Sequence, residues 1–259
     1  MYKPFDLTGK VALVTGGNGG IGLGMAEAMA QAGADVVIWG TNEKKNAGAK
    51  ARLATHGRRV SARRVDVSNE PEIVDGMKAA VAEMGRVDAV FANAGIGFGV
   101  KSFTDITAEA LRHVLAVNLD GAFFTLREAA KHMVERATAG DPGGSLVGVA
   151  SLAGLEGAAR NEHYGASKGA VLAMMRGIAV EHARYGVRAN TIAPGWIATD
   201  MTKRAQENAA FAEKVLPRVP MRRWGKPDDF GGIAVYLASD ASAYHSGDTF
   251  VVDGGYAVF

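Results

Sequence analysis

The sequence predicts one α/β domain, a doubly wound parallel sheet of about seven strands with helices on both faces. Three observations carry that expectation. Short apolar or β-branched runs alternate with longer helical patterns along the whole chain, as parallel strands joined by right-handed helical crossovers require. No linker, composition shift or solenoid-period repeat divides the 259 residues, so the single domain spans 1–259. A glycine-rich turn lies between the first strand and the first helix, the context a dinucleotide site needs.

The elements follow in order. Residues 10–15 (KVALVT) are a β-branched strand, and the turn 16–22 opens a helix to about 32. Residues 34–39 are a continuous apolar run, the mark of a strand buried on both faces. Helices over 43–55 and 70–84 alternate with strands over 59–65 and 87–92. One long helix is expected over 108–135, then a strand over 146–150, a helix over 162–185 and a strand over 187–193. A helix over 227–238 and a strand over 249–252 complete the pattern. Two stretches break the rhythm. Residues 137–145 (ATAGDPGGS) read as a surface loop. Residues 196–224 are long, helical in pattern and without a strand; following a strand end, they form a natural lid over a ligand.

Hydrophobic content of 48% and charged content of 22% are those of an ordinary globular protein. A net charge of +2, with no long run of like charge, gives no electrostatic case for nucleic acid. The absence of cysteine excludes disulfides and thiol chemistry. The opening MYKPFDLTGK lacks the apolar core of a signal peptide, and the most apolar helical stretch, 170–180, is interrupted by Arg176 and too short for a bilayer. A cytoplasmic protein with no membrane partner is therefore expected. His56, His113, His132, His182 and His245 form no metal-ligand spacing, so no metal is assigned.

In the turn Thr15-Gly16-Gly17-Asn18-Gly19-Gly20-Ile21-Gly22, Gly16 permits the bend, and Gly20 and Gly22 let backbone approach a pyrophosphate and let the helix pack on the sheet. The helix N-terminus supplies free N–H groups and positive potential for phosphate. Farther on, Tyr164 precedes Lys168 by four residues, which places phenol and ammonium on one helix face. A lysine beside a phenol favours the phenolate, and a tyrosine so tuned exchanges protons with an alcohol. Ser151 lies thirteen residues upstream of Tyr164.

The spacing Thr-Gly-x-x-x-Gly-x-Gly resembles that of the short-chain dehydrogenase/reductase family. Further motifs agree along nearly the whole chain: Asp66 after the third strand, Asn93-Ala94-Gly95 after the fourth, Asn118 within VNLDG, Ser151, Tyr164, Lys168, and Pro194-Gly195 with Thr199 four residues on. Ala92 departs from the pattern, standing where the family more commonly has an asparagine. The resemblance implies a Rossmann-type sheet of order 3-2-1-4-5-6-7 and an NAD(P)-dependent oxidoreductase that moves a hydride between nicotinamide and a secondary alcohol or ketone. It implies a catalytic set of Asn118, holding a relay water, Ser151 on the substrate oxygen, Tyr164 as acid/base and Lys168 on the nicotinamide ribose. It also implies cofactor contacts from Gly16, Asn18, Gly20, Ile21 and Gly22, from Asp66 and Val67 at the adenine, from Asn93, Ala94 and Gly95, and from Pro194, Gly195, Ile197 and Thr199.

Residues 39–42 read Trp-Gly-Thr-Asn, without the acid that holds ribose hydroxyls in NAD users. Thr41 and Asn42, with Lys44 or Lys45 nearby, could accept a 2′-phosphate, so NADP(H) is favoured over NAD(H). Pocket walls are expected from 97–103, 153–163 and 196–223, with Ala153, Arg160, His163, Trp196 and Arg204 as substrate contacts; Arg218, Arg222 and Arg223 are further candidates to pair with a carboxylate. The segments FDLTGKVALVTGGNGGIGLGMA and RVPMRRWGKPDDF are similar to the gluconate and deoxygluconate dehydrogenase branch, which implies a sugar acid or polyol; 3-oxoacyl carrier-protein reductases share the general build. Family members that only sense the cofactor often lose the tyrosine or lysine, and this chain keeps both. A homotetramer is implied by resemblance. Leu111, Leu115, Leu119 and Phe123 form an apolar stripe that suits either a partner or the chain's own sheet, and the C-terminal 254–259 is apolar for a chain end.

Overall fold

The computed structural model describes residues 3–259. Seven parallel strands form its sheet: β1 (Val11–Thr15), β2 (Asp35–Gly40), β3 (Val60–Arg64), β4 (Ala89–Ala92), β5 (Gly144–Val149), β6 (Val187–Pro194) and β7 (Thr249–Val252). Their order is β3-β2-β1-β4-β5-β6-β7, the order the sequence implies. Alternation along each strand divides the core in two. Val11 and Leu13 face one side, where α3 (Glu70–Met84), α5 (Gly121–Thr138) and α7 (Glu162–His182) bring Ile73, Met77, Leu126, Met133 and Met175. Ala12 and Val14 face the other, where α1 (Gly20–Gln31), α2 (Glu43–Ala54) and α10 (Gly231–Ala238), with the turn before α10, bring Met25, Met29, Leu53, Phe230 and Leu237. Both faces being covered, the strands need continuous apolar runs, and β1 is buried throughout.

The expected long helix is interrupted. Residues Ala108–Leu115 (α4) and Gly121–Thr138 (α5) are α-helical, but Ala116–Asp120 between them make a π-turn with Asn118 at its centre. A π-turn inserts one extra residue and re-aims the side chains after it. Hydrophobic spacing does not reveal it, because the apolar stripe runs straight through. That stripe is not buried on the sheet: Leu111 and Phe123 are exposed and Leu115 and Leu119 half-buried.

After β5 come the short α6 (Leu152–Glu156) and then α7. The lid after β6 holds α8 (Lys203–Glu207) and α9 (Ala209–Val215), and it has no strand. Its ends close on one another through a parallel bridge between Ile197 and Gly225. No helix among the described residues is long and apolar enough to cross a membrane.

Candidate active site

The carboxyl ends of β1, β4, β5 and β6 meet where the strand order turns back on itself, the place where open α/β sheets bind ligands. The turn after β1 is shaped for a pyrophosphate. Gly16 and Gly20 have φ of +64° and +51°, which side-chain-bearing residues avoid. A Cβ on Gly22 would overlap the Gly16 carbonyl oxygen and the Asn93 side-chain nitrogen. Gly19 caps α1 with no side-chain hydrogen bond, so the first N–H groups of the helix stay free for an anion. These features fit a dinucleotide phosphate.

The neighbouring side chains hold that turn. Asn93 Nδ2 donates to the Thr15 carbonyl at 2.9 Å, and Thr15 Oγ1 accepts from the Asn93 and Ala94 N–H groups at 3.0 and 2.9 Å. Asn18 Nδ2 donates to Asn46 Oδ1 at 2.7 Å, and buried Asn46 donates to the carbonyls of Gly40 and Arg63 at 2.9 and 3.2 Å. Asn42 caps α2 through the Lys45 N–H, while Thr41 is exposed beside it. Asp66 accepts from the Ser68 N–H and hydroxyl, which hold its carboxyl below the usual range, and Val67 is buried against α5 at Gly121. Thr199, after Pro194 and Gly195, sits over the turn: its Cγ2 is 3.3 Å from where a Gly20 Cβ would lie.

The residues the sequence marks for proton handling lie beside this cradle. Asn118, 1% exposed, accepts from the Ile96 N–H at 2.8 Å and donates to the Ile96 carbonyl at 2.9 Å and to Ser167 Oγ at 3.0 Å. Ser167 Oγ in turn donates to the Tyr164 carbonyl at 2.7 Å. The π-turn, the loop after β4 and the first turn of α7 are thus one hydrogen-bonded unit. Ser151 caps α6 through the Ala153 N–H and shares a hydrogen bond with the Tyr164 phenol. Lys168, 4% exposed, donates to the Val149 carbonyl at 2.8 Å, with its Nζ 5.8 Å from the centre of the Tyr164 ring. Burial lowers the Lys168 ammonium from its ordinary value to about 8.

One inference from spacing needs correction. Lysine was expected to depress the tyrosine, yet the Tyr164 phenol is pushed above its ordinary value by burial, and the opposing pull comes from Ser151. Spacing of four places the two on one face but does not reveal the burial, which is the largest influence on the phenol.

A family model described as enoyl-(acyl carrier protein) reductase matches residues 16–257. A 2-dehydro-3-deoxy-D-gluconate 5-dehydrogenase of Bacillus subtilis is 38% identical over 257 residues, 99% of this chain and 98% of that protein. The chain belongs to the short-chain dehydrogenase/reductase family. It is an NAD(P)-dependent oxidoreductase of CH–OH groups. Among other members of the family, a 3-oxoacyl-[acyl-carrier-protein] reductase of Chlamydia pneumoniae is 34% identical, covering 96% of this chain and 97% of that protein. The crystal structure of a gluconate 5-dehydrogenase from Burkholderia cenocepacia, in complex with NADP and tartrate, superposes with a TM-score of 0.93 at 33% identity, over 99% of this chain and 98% of that one.

The substrate side of this dehydrogenase is looser. Trp196 meets Phe211 and Trp224 edge-on at 5.2 and 5.9 Å, an aromatic knot inside the lid. Three candidate arginines have other partners: Arg223 forks onto Asp229, Arg218 stacks on Tyr256, and Arg222 stacks on Phe259. Arg160 and Arg204 are exposed, without an ion-pair partner among the described residues; Arg160 sits at φ +64°. His163 is 3% exposed, edge-on to Phe98 at 5.1 Å, with neither ring nitrogen hydrogen-bonded within the described residues. Sequence reasoning missed Ser167, Asn46 and the Val149 carbonyl. Each acts on a residue that was found, and a supporting asparagine or serine carries no spacing signature of its own.

Proposed function

We propose that this protein interconverts a secondary hydroxyl and ketone of a sugar acid or polyol, with NADP(H) preferred. The observation that carries the substrate class is the full-length likeness to a 2-dehydro-3-deoxy-D-gluconate 5-dehydrogenase. Two exposed arginines without an ion-pair partner among the described residues, Arg160 and Arg204, support it, since a guanidinium pairs well with a carboxylate. The cofactor preference is supported by the absence of an acid in 39–42 and by the relative crystallised with NADP.

A bound nicotinamide supplies or takes the hydride. Tyr164 gives its proton to the carbonyl oxygen in reduction and takes one from the hydroxyl in oxidation. The Ser151 hydroxyl donates to the same oxygen and stabilises charge that develops there. Lys168, held by Val149, orients toward the cofactor ribose beside Tyr164. Asn118 keeps the loop after β4 at the distance a relay water needs. Ala153, His163 and Trp196 line the substrate, and assembly as a cytoplasmic homotetramer covers the exposed Leu111 and Phe123.

The test is NAD⁺ and NADP⁺ reduction over sugar acids, polyols and simple secondary alcohols, with Tyr164→Phe as control. Turnover of a sugar acid, faster with NADP⁺ and lost in the variant, is the expected result. Inactivity on all of these, with reduction of 3-oxoacyl thioesters instead, would replace the substrate class with that of the Chlamydia relative.

A further inference from the structure

An ion pair ties the start of α2 to the start of the lid. Lys45 Nζ, in the first turn of α2, lies 2.7 Å from Asp200 Oδ2, in the first turn of the lid. The two side chains come from opposite sides of the phosphate turn, since α2 follows β2 while the lid follows β6, and three strands (β1, β4 and β5) lie between those two in the sheet. Thr199, the residue before Asp200, rests on Gly20 of that turn. Both partners are open to solvent, at 54% and 86% of their side-chain surface, so the bond can be exchanged for another. The segment between β2 and Lys45 carries Glu43, Lys44 and Lys45 and no other charge, which leaves it one positive charge in excess.

We propose that Lys45 changes partner with the cofactor: a phosphate monoester on the adenosine 2′-oxygen takes the ammonium from Asp200 and thereby unclasps the base of the lid. This rests on the NADP reading above. A phosphate monoester carries close to two negative charges at neutral pH and a carboxylate one, so the phosphate wins an exposed lysine when both are in reach. A cofactor without that phosphate leaves Lys45 on Asp200 and the clasp closed. The exchange is reciprocal: whatever the clasp contributes to holding the lid, the 2′-phosphate must overcome, so removing Asp200 tightens binding of the phosphate. Lys45 is then a specificity residue that also reports the cofactor's identity to the lid.

The experiment uses the whole protein and two fragments, adenosine 2′,5′-bisphosphate and adenosine 5′-monophosphate, with affinities from calorimetry. Lys45→Gln weakens the bisphosphate roughly tenfold and leaves the monophosphate within about twofold. Asp200→Asn tightens the bisphosphate by about two- to fivefold, the range of an exposed ion pair, and leaves the monophosphate unchanged. Amide exchange across 200–215 speeds up when the bisphosphate binds to the unaltered protein, and the monophosphate does not cause it. In Asp200→Asn that exchange is fast from the start. If the unaltered protein prefers the bisphosphate but Lys45→Gln keeps the same preference, the inference is wrong and the NADP reading survives. If Asp200→Asn does not change bisphosphate affinity, the clasp is no competitor and the inference is likewise overturned. If the unaltered protein binds both fragments equally, the NADP reading and this inference fall together.

Discussion

Asn118 and Lys168 are 1% and 4% exposed, and hydrogen bonds to Ile96, Ser167 and Val149 hold them inside the fold. In the lid, Arg204 and Asp200 are exposed, and Met201 and Met221 show 51% and 66% of their surface. The two sides of one site therefore differ in what fixes them. The proton-handling side is determined by buried polar groups that tolerate one arrangement, because an orphaned partner costs more than the bond contributes. The lid is tied by aromatic edges and surface ion pairs, each worth little by itself. On the function proposed above, the chemistry belongs to the rigid half and the choice of substrate to the adjustable one.

Four substitutions sharpen or break that contrast, from the largest effect to the smallest. Tyr164→Phe removes the acid/base group and lowers kcat by about 10²–10⁴-fold, with a melting temperature close to that of the parent. A fall of less than tenfold in steady-state turnover would move the proton chemistry elsewhere. Asn118→Ala orphans both backbone groups of Ile96 and removes the bond Ser167 Oγ accepts, while that hydroxyl keeps its own bond to the Tyr164 carbonyl, and should cost about 2–4 kcal/mol in denaturant unfolding. A loss below about 0.5 kcal/mol would mean that the buried half is less constrained than its hydrogen bonds suggest.

Lys168→Met should inactivate the enzyme yet stabilise the cofactor-free protein near pH 7, by on the order of 1–2 kcal/mol. The sign follows from the lowered ammonium. Its folded value of about 8 lies below the unfolded 10.5, so folding is penalised throughout the range below about 8, and the penalty fades as pH rises toward 10.5. Thermal melts of the two proteins from pH 7 to 10 should converge as pH rises; parallel curves would mean the buried ammonium is stabilised by contacts not seen here. Arg223→Gln, which breaks the fork from the lid onto Asp229, should leave denaturant unfolding nearly unchanged, while raising KM more than it lowers kcat. A cost equal to that of Asn118→Ala would erase the contrast.

Much of this was legible in the sequence because backbone geometry leaves a pattern. Strand–helix alternation marks the sheet, and the glycines of 16–22 mark the phosphate turn, where Gly16 and Gly20 take a positive φ that favours glycine. Tyr164 and Lys168 share a face because they share a helix. The π-turn was illegible: the apolar stripe runs unbroken through residues 116–120, and the extra residue is stabilised by the Asn118 contacts with Ile96 and Ser167, which are distant in sequence. The partners of the arginines were illegible for the same reason. Arg218 and Arg222 are matched with Tyr256 and Phe259, about forty residues away, by tertiary folding alone.

The edge-on meeting of Trp196 and Trp224 gives the enzyme a built-in optical gauge. Of its three tryptophans, two are in the lid, and the third, Trp39, is sealed in the core at 0% exposure. Ultraviolet emission from the core indole should stay constant while that of the lid pair changes as their rings part. Light absorbed by tryptophan can also pass to a reduced nicotinamide, were one bound, and reappear as blue fluorescence. Lid opening and cofactor loading can therefore be followed separately, at two wavelengths, in unlabelled protein.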